Sequence, residues 1–267
     1  MPELPEVETV VRQLAPFLLG RRVERLEIRD EKLAHVRPAP VAGRTVESVS
    51  RLGKQIGIGL ANGRDKLWMA FHMRMTGRLI TSDNREGQND KHLRAELVLD
   101  NGSLLFYDTR RFGTIRVANG ADELLPDAVD PMTGQFTSDI LAGLIGGTTT
   151  PVKNWLLRQD RLVGIGNIYA SEILFGCGID PRTPAGKLKA KRIAALRDEI
   201  RRVLELAIEH CGTTFSDFQD SQGHVGGFQN FLNVYAREGQ PCKNCGTHIE
   251  RIVQGQRSTY FCPRCQK

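Results

Sequence analysis

No apolar run among these 267 residues approaches the roughly 20 that a bilayer-crossing helix needs, and no charged-then-apolar leader opens the chain. The expectation is a cytoplasmic protein with no membrane partner. Cysteine is scarce, and its six residues need not staple a chain this long that lacks a secretion signal. Internal repeats and low-complexity segments are absent, which sets aside repeat architectures. Acidic residues are in deficit, with 31 Asp and Glu against 37 Lys and Arg and a sequence pI near 9.1. That imbalance favours an acidic partner without proving one.

What is present is the make-up of a globular protein, 40% hydrophobic and 25% charged, long enough for two modest cores. Segments 22–28, 45–49 and 67–73 read as strands, and Ile56, Ile58 and Leu60 alternate before a turn at Asn62-Gly63. Segments 93–99 and 103–107 flank Asp100-Asn101-Gly102, a hairpin signal because Asn-Gly tolerates the positive φ of tight turns. The polar stretch 82–90 reads as a mobile loop. These segments predict an antiparallel β-sandwich carrying an N-terminal helix. Residues 119–135, with Gly120, Pro126, Pro131 and Gly134, read as a linker. Beyond them the period turns helical. Segments 138–144, 151–157 and 168–175 are short helices, and Leu196, Ile200, Val203, Leu204, Ala207 and Ile208 mark the apolar face of a longer one. Positive charge gathers here, with eight basic and two acidic residues from Arg182 to Arg202 and five against one from Cys242 onward.

Cys242-x-x-Cys245 and Cys262-x-x-Cys265, sixteen residues apart, have the spacing of a four-thiolate zinc site. Two pairs without a surrounding βαβ pattern disfavour a redox centre, while iron in a rubredoxin-like site stays open. So short a tail has little core of its own, so the metal should supply much of its folding energy. Segments 249–253 and 258–261 would form a hairpin turning near Gly255 and presenting Arg257. Cys177 and Cys211 are left over and read as buried thiols. Gly164-Ile165-Gly166-Asn167 puts two glycines before a helix, where backbone N–H groups can hold a phosphate, although a plain tight turn explains them equally. A dinucleotide site is disfavoured because no parallel-strand context precedes them.

The chain start, Met1-Pro2-Glu3-Leu4-Pro5-Glu6-Val7-Glu8, packs two prolines and three carboxylates against an amphipathic helix. Val7, Val10, Val11, Leu14, Phe17 and Leu18 recur at helical spacing until Gly20. If Met1 is removed, as the small residue after it should permit, the terminus becomes a secondary amine on a pyrrolidine ring. An α-amino group has a reference pKa near ~8 against ~10.4 for lysine, so it offers on the order of a hundredfold more free base near neutrality. It could attack a sugar carbon and form an iminium, with Glu3 moving protons. Alternatively, the prolines merely keep the terminus extended and the glutamates favour a helix N-terminus.

Pro2-Glu3-Leu4-Pro5-Glu6-Val7-Glu8 resembles the N-terminal signature of the formamidopyrimidine-DNA glycosylases, and the resemblance runs along the whole chain. It implies that Pro2 is the Schiff-base nucleophile and Glu3 its acid/base partner. Lys54, in Arg51-Leu52-Gly53-Lys54, is implied in phosphate contact and proton transfer, and Arg257, in Gln256-Arg257-Ser258-Thr259, in phosphate contact and the later elimination. Met75, Arg110 and Phe112 correspond to the wedges that fill the stack vacated by an extruded nucleotide. Arg111, Lys153 and Asn167 correspond to groups on the DNA backbone, and His92 to a histidine touching DNA. The stretch 221–228 resembles the loop that folds over the everted purine. Two departures stand out: Gln55 where the family often has an aromatic residue, and Arg74 where it usually has glycine.

The resulting expectation is an α+β protein with three functional segments. These are a β-sandwich catalytic domain at 1–134, a helix-two-turn-helix DNA-binding domain at 135–230 and a four-cysteine zinc finger at 231–267. It would act as a monomeric glycosylase and abasic-site lyase on damaged double-stranded DNA. Oxidised purines such as 8-oxoguanine and formamidopyrimidines would be removed through β- and δ-elimination, with one structural zinc and no need for magnesium. Phosphate contacts should make binding steeply salt-dependent. Two rivals are an endonuclease VIII-like enzyme for oxidised pyrimidines, against which Leu4 and the 221–228 stretch argue, and a non-catalytic zinc-dependent DNA-binding protein, which would leave Pro2 and Glu3 without a task.

Overall fold

Pro5 lies in the first turn of helix α1 (Leu4–Leu18), where its missing N–H is harmless and its fixed φ suits the helix. Val7, Val10, Val11, Leu14 and Leu18 form its buried face. They join one core with the strands that follow. These are β1 (Val23–Ile28), β2 (Thr45–Leu52), β3 (Gln55–Asn62), β4 (Asp65–His72), β5 (Gly77–Thr81), β6 (Leu93–Leu99), β7 (Ser103–Asp108) and β8 (Thr114–Ala118). The computed structural model describes every residue except 34, 35, 37, 38 and 214–225.

Two four-stranded antiparallel sheets result, ordered β1-β6-β7-β5 and β2-β3-β4-β8. Strand β6 alternates buried and half-buried residues along its length, the period-2 signature of a strand with one face on the core. Phe71 of β4 and Phe106 of β7 meet edge to face across the sandwich, ring centroids 5.9 Å apart. The expected sandwich with its helix is therefore present. Strands β5 and β8 were not expected, since each has five residues with an arginine, Arg78 or Arg116, breaking its apolar run. Their pairing partners, not their own pattern, make them strands. The stretch 82–90 contains a 3-10 turn at Ser82–Asn84.

By contact density the chain divides into two units, one of Met1–Leu125 with Ile208–Gln229, the other of Pro126–Ala207 with Asn230–Lys267. The second unit holds helices α2 (Ser138–Ile145), α3 (Val152–Leu156) and α4 (Asn167–Gly176), with most of α5 (Ala190–Glu209). Thr137 caps α2 by accepting the Ile140 N–H at 3.2 Å. A hairpin of β9 (Glu250–Gln254) and β10 (Arg257–Phe261) closes the chain. Gly255 and Gln256 both have positive φ, +52° and +60°, the type I′ geometry that matches strand twist.

Glu172 on α4 is buried, and its carboxylate accepts the backbone N–H groups of Asn233, Val234 and Tyr235 at 2.8–2.9 Å plus the Asn233 amide at 3.1 Å. Glu172→Ala would strand three backbone donors, so it should lower unfolding free energy by roughly 3 kcal/mol. Thermal and urea melts read this directly. A midpoint indistinguishable from wild type would refute it.

Candidate active-site and nucleic-acid-facing groups

In the first unit, Pro2 is buried and Glu3, 5% exposed, stands at the N-cap of α1. The Glu3 N–H donates to Glu6 Oε2 at 2.7 Å. Glu6 Oε1 accepts the Thr213 N–H, also at 2.7 Å. One buried carboxylate thus ties the start of the chain to the backbone just before residue 214. In the sequence Glu6 had looked only like a dipole partner, because a partner more than 200 positions away leaves no local signal.

Lys54 sits in the two-residue turn between β2 and β3, next to Gly53 at φ +64°. A charge at a strand start is ordinarily exposed, yet Lys54 is only 7% exposed. Arg51 anchors the turn, donating from Nε to Glu8 at 3.1 Å and from Nη1 to the Gly53 carbonyl at 3.2 Å. Gln55, which departs from the aromatic residue often found in the resembling family, donates its amide to the Leu124 carbonyl at 3.1 Å. That bond fastens the chain leaving the sandwich beside the cluster of Leu52, Ala70 and Leu124.

Burial, then the charges of Arg74 and Lys54, pushes His72 down to about 4 from its ordinary 6.5. Its Nδ1 accepts the Arg74 N–H at 3.1 Å, which requires that nitrogen unprotonated. The unfolded chain therefore binds more protons between those values, so this contribution is whole above about pH 6.5 and fades as pH falls towards 4. It should amount to on the order of 2 kcal/mol, allowing for partial exposure. Urea melts at pH 7 and pH 4.5 should show a smaller difference in His72→Gln than in wild type. Equal differences would remove His72 as the cause.

Arg74 has φ +53°, so the loop keeps the left-handed conformation that the usual glycine would adopt freely. Beside it Met75 is 41% exposed, and Phe112 is 49% exposed with the Arg110 guanidinium 4.9 Å from its ring centre. Arg111 is held by carboxylates of its own chain. It forks onto buried Asp30 at 2.7 and 2.5 Å and reaches Glu31 at 3.2 Å. Hydrogen bonding to Arg111 holds the Asp30 carboxyl below its usual range. His92 ends a 3-10 turn at Asp90–His92.

In the second unit, Lys153 is fully buried. Its ammonium donates to Asn167 Oδ1 at 2.7 Å, the Ser258 carbonyl at 3.0 Å and Thr259 Oγ1 at 2.7 Å. Asn167 also donates to the Ser258 carbonyl at 3.0 Å. Lys153 thus joins the start of α4 to β10, the strand that opens with exposed Arg257. Gln159 shapes the preceding turn, accepting the Gly164 N–H and donating to the Leu157 and Ile165 carbonyls.

The Sγ atoms of Cys242, Cys245, Cys262 and Cys265 all lie within 4.8 Å of one another. Two of the pairs, Cys242–Cys265 and Cys245–Cys262, stand 3.9 and 3.5 Å apart. A tetrahedron with Zn–S near 2.3 Å has edges of about 3.8 Å, so this donor set fits one structural zinc ion. The other two cysteines correct the expectation of buried thiols. Cys177 is half-buried, its thiol pushed up to about 12 chiefly by burial, and Cys211 is exposed at φ +57° just past the end of α5. The 221–228 stretch lies outside the described residues as far as 225.

Three family models match the chain. One described as the formamidopyrimidine-DNA glycosylase N-terminal domain matches residues 1–115, one described as the H2TH domain of the same glycosylase matches 128–219, and one described as a zinc finger found in FPG and IleRS matches 239–267. The formamidopyrimidine-DNA glycosylase of Burkholderia lata is 44% identical over 280 residues, covering all of both chains. The MutM (Fpg) protein of Thermus thermophilus superposes with a TM-score of 0.88 at 36% identity, over 99% of this chain and 98% of that one. A Lactococcus lactis Fpg mutant, crystallised with DNA containing Fapy-dG, superposes with a TM-score of 0.87 at 28% identity over both full chains.

Proposed function

This chain belongs to the formamidopyrimidine-DNA glycosylase family, and on that premise we propose that it is a bifunctional glycosylase and abasic-site lyase removing oxidised purines from double-stranded DNA. The observation that carries the reading is the buried Pro2-Glu3 start, fixed at a helix N-terminus by Glu6. After Met1 is removed, the Pro2 nitrogen bonds to C1′ of the damaged nucleotide as the glycosidic bond breaks. Glu3 supplies a proton to the ring oxygen as the deoxyribose opens, leaving an iminium. Loss of a C2′ proton then expels the 3′ phosphate, and a second elimination expels the 5′ phosphate. Lys54 and Arg257 are assigned to proton transfer and phosphate contact in these later steps.

The DNA-facing roles follow the same premise. Met75, Arg110 and Phe112 are the wedges, with Arg111, His92 and Asn167 on the DNA. Lys153 serves that surface by holding Asn167 in place, given its burial. The functional segments are 1–134 for catalysis, 135–230 for DNA binding and 231–267 for the zinc finger. We place the protein, as a monomer, in the cytoplasm with the nucleoid. No helix among the described residues is long and apolar enough to cross a membrane.

Borohydride trapping on a duplex with 8-oxoguanine opposite cytosine, followed by peptide mass spectrometry, tests this. The expected result is a covalent adduct on Pro2. Tight binding to the same duplex with no adduct would sink the lyase mechanism.

A further inference from the structure

The loop between β4 and β5 and the loop between β7 and β8 both cross from one sheet to the other at the same end of the sandwich. His72 pairs with Thr114 in one sheet and Gly77 with Asp108 in the other, so the two crossings are neighbours. The first carries Met75; the second carries Arg110 and Phe112. Loops bearing exposed apolar side chains would ordinarily move independently, and ordering them at an interface costs free energy for every side chain immobilised.

A single buried carboxylate removes that freedom. Asp108 is 1% exposed. Its Oδ1 accepts the Thr76 hydroxyl and, at 3.1 Å, the Arg110 N–H; its Oδ2 accepts the Gly113 N–H at 2.7 Å. Thr76 Oγ1 accepts the same Arg110 N–H at 3.1 Å. Asp108 therefore grips both ends of the Arg110–Gly113 turn and the residue next to Met75. Its own main chain is held in turn, the carbonyl accepting Arg94 Nε at 2.7 Å. Position 113 leaves no room for a side chain, since a Cβ there would overlap the Phe106 ring and lie 3.1 Å from Asp108 Oδ2.

We propose that Asp108, acting with Thr76, is a positioning residue that locks the Met75 loop and the Arg110–Phe112 loop into one rigid wedge for insertion into the base stack. The proposal rests on the reading of those three side chains as wedges. It makes insertion a concerted event, in which neither loop enters the duplex without the other.

The test follows the fluorescence of 2-aminopurine placed beside 8-oxoguanine in a duplex, which rises as the neighbouring stack opens. Thr76→Val keeps the side-chain shape and deletes the hydroxyl, and it should slow that rise about tenfold, the scale of one buried hydrogen bond. Thr76→Ser should restore the rate. Asp108→Asn, which leaves the Gly113 N–H without its carboxylate, should slow it as well. Excision of 8-oxoguanine should fall in step with the fluorescence, while cleavage at a preformed abasic site, which has no base to expel, should fall by a smaller factor. A normally melting Thr76→Val protein with a rise within twofold of wild type overturns the proposal, as does failure of Thr76→Ser to rescue. Met75→Ala separates the two layers: if it slows the rise and Thr76→Val does not, the wedge reading stands and the coupling falls. If neither slows it, both fall.

Discussion

Glu3→Gln should slow single-turnover release of 8-oxoguanine by about 10²- to 10⁴-fold, the usual contribution of a positioned acid or base. The substitution is close to isosteric, and the bond that fixes this segment runs from the Glu3 backbone N–H to Glu6, so it survives the change. The buried cap and the first turn of α1 should therefore be kept, with a melting temperature near that of wild type. What disappears is a proton donor at a site with little water. Pro2→Gly should likewise abolish the borohydride-trapped wild-type species, because it removes the secondary amine and the ring that holds it. Single-turnover kinetics beside a thermal melt give the answer. Glu3→Gln within threefold of wild type would remove Glu3 from the proton-donor role, whereas no release of 8-oxoguanine by the wild-type protein itself would return the chain to the class of non-catalytic DNA-binding proteins.

Features whose chemistry is local could be read directly from the residues. The Pro2 to Glu8 start, the two Cys-x-x-Cys pairs and the strand alternation at Ile56, Ile58 and Leu60 each need only a few neighbours to be understood, and each has its expected form. The hairpin at 249–261 shifted by only a residue or so, since its Gly255 turn fixes the register. Features set by distant partners could not be read. Arg111 meets Asp30 and Glu31 some 80 positions upstream, and Lys153 meets Ser258 and Thr259 more than 100 positions downstream. An isolated lysine reads as a solvated charge until its acceptors are known, and Lys54 and Lys153 are both buried. Asp108 had a faint local signal, an aspartate at a strand end followed by a threonine and two arginines, but capping both loops needed Thr76 from another crossing.

Removing the metal should unfold the C-terminal hairpin and abolish DNA binding together. Structural zinc sites of this type contribute on the order of 10 kcal/mol of apparent binding free energy near neutral pH, far more than a tail this small could recover by burial. The apolar cluster around the thiols is small: Phe175, Val234 and Ile249 are its buried members besides Cys242 and Cys262. Loss of the hairpin has a second consequence inside the same unit. Ser258 and Thr259 both accept from the Lys153 ammonium, and Ser258 also holds Asn167. Without them a fully buried cation loses two acceptors at once, an arrangement costly enough that the turn before α4 should rearrange. A strong chelator, with released zinc followed by a colorimetric dye, should therefore eliminate binding to an abasic-site duplex in proportion to metal lost, and Cys262→Ala should do the same. Lys153→Met asks whether the link runs through the lysine. It removes the buried charge while keeping the stem, so the metal should stay bound while Asn167 keeps only its bond to the Ser258 carbonyl and DNA affinity falls. If chelated protein keeps wild-type affinity, the hairpin does not hold the DNA-binding turn and Lys153 has a purely local role.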